Sequence, residues 1–175
     1  SDDVIHSFWI PQLVGKIDMV PGHENHLWFT PETARDDAYF AQCAEFCGAS
    51  HANMRFRVFV DTDAKFADWS KATAADAAKA STDLAKAGEQ QFTASGCIGC
   101  HTVKGNPLAQ GKVGPNLTHV GSRTTIAAGV LPNNAEGMHK WLSNPPGVKP
   151  GSKMPNLGLN EDQIQKLTAY LESLK

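Results

Sequence analysis

Cys43-Ala44-Glu45-Phe46-Cys47-Gly48-Ala49-Ser50-His51-Ala52-Asn53-Met54 gathers two thiols, an imidazole and a thioether into one short loop. Soft and borderline donors of this kind select copper over hard cations such as magnesium or calcium. Two cysteines four apart could instead close a small disulfide, or join His51 in a zinc site whose fourth donor comes from elsewhere. Met54 weighs against zinc, because a thioether is an unusual zinc ligand and a familiar weak axial ligand of copper. The loop therefore reads as copper-binding, and its surroundings read as strand. Met54, Phe56, Val58 and Val60 alternate with Arg55, Arg57 and Phe59, the period of a strand with one buried face. Leu27–Thr30 and Ala38–Gln42 are shorter strand candidates, set apart by Pro31 and the acidic pair Asp36-Asp37. Residues 1–61 fit the second half of an antiparallel sandwich.

A second loop, Cys97-Ile98-Gly99-Cys100-His101, has the C-x-x-C-H form of a c-type haem attachment site. The adjoining histidine, and the lack of a second C-x-x-C, separate it from thiol oxidoreductases and zinc ribbons. Cys97 and Cys100 would form thioethers to the porphyrin and His101 would be the proximal iron ligand. The two loops use all four cysteines, where an even count in an exported protein would otherwise suggest two disulfides. Around the second loop the pattern is helical. Leu84, Gly88 and Phe92 recur every fourth residue, and the glycine would admit a close second helix. Ile164, Leu167, Leu171 and Leu174 supply its stripe, with Asn160 and Gln163 placed as a capping-box variant. For a sixth iron ligand the candidates are Met138, Met154, His119 and His139. A methionine on a helix face is usually core, which demotes Met138, whereas Met154 sits in the proline-rich loop Lys149–Pro155.

Between the halves, Phe66 and Trp69 are three apart and predict a short helix closing the β portion. Ser70–Thr82 is small and polar without apolar periodicity, a semi-rigid linker whose alanines allow partial helix. Over the 175 residues, 41% hydrophobic and 19% charged residues describe a globular chain. A net charge of -2, with 16 basic residues that form no run, excludes nucleic acid as a partner. No apolar run reaches the roughly 18 residues of a membrane span, and no signal segment is visible.

Asp3–Pro11 and Lys16–Gly22, taken with Cys43–Met54, resemble subunit II of haem-copper cytochrome oxidases, whose periplasmic cupredoxin domain carries the dinuclear CuA centre. The resemblance implies bridging thiolates from Cys43 and Cys47, imidazoles from His6 and His51, the thioether of Met54 and the backbone carbonyl of Glu45. It also allows a magnesium ion at the subunit I interface through the Glu45 carboxylate. Crossed terminal helices, the first leading into C-x-x-C-H, resemble class I cytochrome c over residues 83–175. That family carries its axial methionine before a proline, as in Met154-Pro155. Its Gly-Pro segment, here Gly114-Pro115, offers a carbonyl to the proximal histidine.

The expected fold is multidomain, β followed by all-α: a partial antiparallel cupredoxin-like β-sandwich over residues 1–70, a linker over 71–82 and a cytochrome c domain over 83–175. The fusion in this order resembles caa-type oxidases. It implies one covalent haem c passing electrons to CuA and on to subunit I, where oxygen is reduced. The implied donor is a soluble or membrane cytochrome c or a cytochrome bc complex, at the periplasmic face of the bacterial inner membrane. Family members carry membrane helices and the first cupredoxin strands before the position of Asp3, so the chain reads as a C-terminal portion, with membrane association through segments absent from it. One alternative is a nitrous-oxide-reductase-like CuA protein, but seven histidines do not supply its catalytic domain. The other is a copper-delivery or sensor protein, against which the fused haem speaks. Asp3 and Asp18 read as solvated surface carboxylates, Trp141 as core and Arg123 as a solvated arginine.

Overall fold

Alternating apolar residues fold the first sixty positions into a four-stranded antiparallel sheet in the computed structural model, which describes residues 1–175 throughout. The strands are β1 (His6–Ile10), β2 (Val14–Met19), β3 (Arg35–Cys43) and β4 (Arg55–Val60), in the order β2-β1-β3-β4. Phe8 pairs with Cys43, and Gln42 with Arg55. The end of β3 is thereby held between the two strands whose ends carry His6 and Met54. Ala44 donates its N–H to the Ser7 carbonyl at 2.9 Å, continuing the pairing into the loop.

Two strand expectations change. Leu27–Thr30 forms no strand: the segment has no pairing partner, and Trp28 is 84% exposed. The Asp36-Asp37 pair does not separate strands but lies inside β3. Arg35 pairs with Val60 and Tyr39 with Val58, so four steps along β3 match two along β4 and the extra residues bulge out. In the bulge Asp36 meets Lys65 at 2.6 Å and Asp37 meets Arg35, so both charges stay solvated.

The helix at Phe66 and Trp69 is α1 (Asp63–Ala74), longer than expected. It buries no residue, and the two rings, each 57% exposed, pack on one another at 5.6 Å. It therefore does not close the β portion as the sequence suggests. Beyond it the chain runs extended along the helical part: Ala77 donates its N–H to Lys104 O at 3.0 Å, and Ala78 to Lys175 O at 3.3 Å.

Next come α2 (Asp83–Ala94), a two-stranded hairpin of β5 (Thr125–Ile126) and β6 (Leu131–Pro132), α3 (Ala135–Ser143), a single turn α4 (Pro145–Val148) and α5 (Glu161–Ser173). Helices α2 and α5 pack directly: a Cβ at Gly88 would stand 2.0 Å from the Lys166 carbonyl oxygen. The buried stripe of α2 is Ala85, Gly88 and Phe92, while Leu84 is 48% exposed. Positions 84 and 85 flank the same face, and the small side chain faces α5 because the backbones are too close for leucine. Ile164, Leu167, Leu171 and Leu174 are buried, and the Asn160–Gln163 capping box closes with two bonds of 3.0 Å. These join Phe92, Tyr170 and Met138 in one cluster of twelve buried residues. No helix is long and apolar enough to cross a membrane.

Candidate metal and haem sites

Cys43 is the last residue of β3, and its N–H bonds the Met54 carbonyl at 2.9 Å, which closes the loop at its base. The chain turns at Gly48, in a left-handed conformation (φ 114°), and a single 3-10 turn at His51–Asn53 brings the later donors back. All six residues expected to bind metal converge. The Cys43 and Cys47 sulfurs are 3.8 Å apart, unbonded. His6 Nδ1 lies 3.7 Å from Cys43 Sγ, and the Glu45 carbonyl oxygen 3.2 Å from it. His51 Nδ1 and Met54 Sδ lie 3.6 and 3.8 Å from Cys47 Sγ. The donors fall into two halves, each a thiol with one imidazole and one weak ligand. The Glu45 side chain is exposed, so only its carbonyl enters this cluster.

The electrostatics of the thiol pair are uneven. Burial would raise the Cys43 thiol, but backbone contacts of Ser7 and Glu45 and the imidazoles of His6 and His51 bring it down to about 6. Burial and the neighbouring Cys43 push the Cys47 thiol up. One proton leaves easily and the second does not, as expected of two like groups in contact.

In the second loop, Gly96 (φ 75°) opens a 3-10 turn at Cys97–Gly99. His101 then returns its N–H to the Cys97 carbonyl at 2.9 Å, which sets both cysteines and the histidine on adjoining turns. His101 Nδ1 donates to the Pro115 carbonyl at 2.8 Å, leaving Nε2 as the nitrogen free to ligate. A Cβ at Gly114 would stand 2.5 Å from His101 Cε1, so only glycine lets this segment lie against the ring. Burial raises the Cys97 thiol to about 11. Of the four residues considered as a sixth ligand, three are engaged elsewhere. Met138 is 2% exposed in the core, His139 bonds Glu161 at 2.8 Å and His119 contacts the Ala75 carbonyl at 3.2 Å. Met154 is half-buried in its loop against the core. This donor set suits a covalently held haem.

Residues 85–175 match the family model described as Cytochrome c, more than half of the chain. The chain belongs to the cytochrome c family. Ahead of that portion, residues 1–60 match the model described as Cytochrome C oxidase subunit II, periplasmic domain, so a cytochrome c is fused behind a subunit II segment. "Cytochrome c oxidase subunit 2" of Alkalihalophilus pseudofirmus is 40% identical over 176 residues, covering 100% of this chain and 50% of that protein. The protein of the same name from Bacillus sp. (strain PS3) is 43% identical over 186 residues, with 100% and 51% coverage. The chain thus spans about half the length of the curated relatives it matches. The solved periplasmic domain of cytochrome oxidase subunit II from Bradyrhizobium japonicum is 38% identical, with a TM-score of 0.38 over 40% of this chain and 49% of that one. The cytochrome c portion implies haem and the subunit II portion implies copper.

Within the subunit II portion one contact to the donor cluster escaped the sequence reading. Asp3 is no free surface carboxylate: its Oδ1 accepts from His6 Nε2 at 2.9 Å. That bond fixes the ring so that Nδ1 faces the thiols. The His6 hydrogen bond, the Val4 amide and the Ser1 hydroxyl hold the Asp3 carboxyl down to about 2. The three-residue spacing to His6 was the available signal. In the cytochrome c portion, Trp141 packs against the core and Arg123 donates to the Asn116 carbonyl.

Proposed function

We propose that this chain is the electron-transfer part of subunit II of a terminal cytochrome c oxidase, with an oxidase segment over residues 1–70, a connection over 71–82 and a cytochrome c domain over 83–175. The observation that carries it is the convergence of six donors into two thiol-centred halves, on a chain that also bears a C-x-x-C-H loop. When bound, one covalent haem c and a dinuclear CuA centre supply one-electron carriers, in the order donor, haem c, CuA, subunit I, where oxygen is reduced. Cys43 and Cys47 would bridge the two coppers, with His6 and the Glu45 carbonyl on one side, His51 and Met54 on the other. Cys97 and Cys100 would anchor the porphyrin between His101 and Met154, a Met/His pairing that raises the reduction potential. Pro115 orients His101 and Asp3 orients His6, so neither imidazole need turn when an electron arrives. The exposed Glu45 carboxylate is free to hold magnesium at the subunit I interface. The donor would be a soluble or membrane cytochrome c or a cytochrome bc complex, on the periplasmic face of the bacterial inner membrane.

The test is spectroscopic. The copper-loaded chain should show a mixed-valence dinuclear signal in electron paramagnetic resonance beside a low-spin haem c optical spectrum. Cys47→Ser should abolish the first and leave the second. A dinuclear signal that survives the substitution would overturn the assignment.

A further inference from the structure

We infer that the copper-donor loop is docked on the cytochrome c portion by a two-point latch, Ser50 with Pro150 and Arg55 with Ala128, which fixes the path between the two centres within one chain. The path rests on the function proposed above; the latch itself rests on geometry. Ser50 directly precedes His51, and Arg55 directly follows Met54. The Ser50 hydroxyl donates to the Pro150 carbonyl, four residues before Met154. Arg55 donates its backbone N–H to the Ala128 carbonyl at 2.9 Å. Both hydrogen bonds therefore start beside a copper donor and end on the cytochrome c portion.

The sheet prepares one half of this contact. Strand β4 is an edge of the sheet, and an edge strand offers unpaired backbone donors to whatever lies alongside. Here the neighbour is the turn between β5 and β6. Ala127 (φ 53°), Ala128 (φ 57°) and Gly129 (φ 77°) take left-handed conformations in succession. Non-glycine residues rarely adopt this region, and the pair forms the centre of the hairpin turn. Gly129 closes the turn locally, donating its N–H to the Ile126 carbonyl at 3.1 Å, and the Arg55 N–H braces it from the sheet. Gly129 packs so closely that a Cβ there would stand 3.0 Å from the Arg55 Cβ and carbonyl oxygen. At the second point a Cβ on Gly151 would lie 3.5 Å from the Ala49 Cβ. The connecting segment adds to the hold, since Ala77 and Ala78 are hydrogen-bonded to Lys104 and Lys175. One side of the copper loop is thus covered by this chain, while Glu45 and Phe46 in the same loop stay exposed. The cytochrome c portion would then pass electrons to the covered side of the loop, and subunit I would meet the Glu45–Phe46 side.

Gly151 is left-handed (φ 81°), so a cysteine there carries local backbone strain, while the Cβ separation from position 49 falls within the range a disulfide spans, about 3.5–4.5 Å. Ala49→Cys with Gly151→Cys, in the full copper- and haem-loaded chain under mild oxidation, should therefore give a cross-linked 49–151 peptide by mass spectrometry. Its yield should not depend on protein concentration. A yield no higher than in the urea-unfolded chain would overturn the latch. In the unsubstituted chain, the Arg55 amide should exchange with deuterium on the order of tenfold more slowly than in Gly129→Val. An Arg55 amide that exchanges equally fast in both would also overturn it. A cross-link without any dinuclear copper signal would keep the latch and sink the proposed function. A copper signal without the cross-link would do the reverse.

Discussion

In residues 1–60 only Ser7, Ile10, Ala41 and Cys43 are buried, whereas the cytochrome c portion closes twelve buried side chains around Phe92, Leu167 and Tyr170. The first region positions its metal donors by backbone, through the Cys43–Met54 and Ala44–Ser7 bonds and the register of three strands. The second positions its haem loop by packing, because α2 delivers Cys97 only where α5 holds it. A site built on backbone pairing tolerates a thin core but depends on each hydrogen bond that aims a donor. A site built on packing tolerates change at a donor but not at a helix contact. Metal binding adds free energy to the folded form alone, so copper should stabilise the β portion more visibly than the cytochrome.

The contrast breaks first at Gly88. Gly88→Val places side-chain atoms on the Lys166 carbonyl, and overpacking of this kind costs about 3 kcal/mol. Thermal unfolding followed at the haem should shift down by several degrees or more, with the copper signal of the folded fraction unchanged. Equal losses at both sites would mean that the two regions share one cooperative unit.

Asp3→Asn tests the backbone-and-bond side of the contrast. It removes the charged acceptor that orients His6, and loss of such a partner typically lowers metal affinity about 10- to 100-fold. Competition with a copper chelator should show that loss while the haem spectrum stays constant. An unchanged affinity would return Asp3 to the surface role its sequence suggested.

Met154→Leu keeps volume and removes sulfur, so stability should change by less than about 1.5 kcal/mol. The ferric sulfur-to-iron charge-transfer band should vanish and the reduction potential should drop. Persistence of the band would point to Met138 and contradict its place in the core.

The smallest effect belongs to Glu161. The hydrogen bond from His139, with a second from Gln165, holds its carboxyl below the ordinary carboxylate range. A depressed acid stabilises the fold above its unfolded-state pKa and loses that contribution as pH falls through the folded-state value. Glu161→Gln should therefore lower stability slightly above the ordinary carboxylate range, with the loss fading as pH falls through the folded-state value, so that the acid limb of the stability profile flattens. A loss that stayed constant down to strongly acid pH would identify a different cause.

Much of this was legible in residue order. The two cysteine loops, the alternation of Met54–Val60, the Ile164–Leu174 stripe and the Asn160–Gln163 cap are local patterns, and local chemistry fixes them within a few residues. Resemblance of Asp3–Pro11 to the subunit II family gave His6 as the one distant member of the donor cluster. What stayed hidden depends on what lies opposite in space. Asp36-Asp37 looked like a break because a bulge against β4 cannot be seen from β3 alone. Leu84 looked buried because the closeness of α5, which favours Ala85, is a tertiary fact. Phe66 and Trp69 looked like a lid, although their helix buries no residue. Tertiary structure alone decided that His119 meets the Ala75 carbonyl, that His139 meets Glu161, and that Ser50 and Arg55 reach across to Pro150 and Ala128. Each is a hydrogen bond or a clearance of a few ångströms between residues whose separation along the chain carries no signal of it.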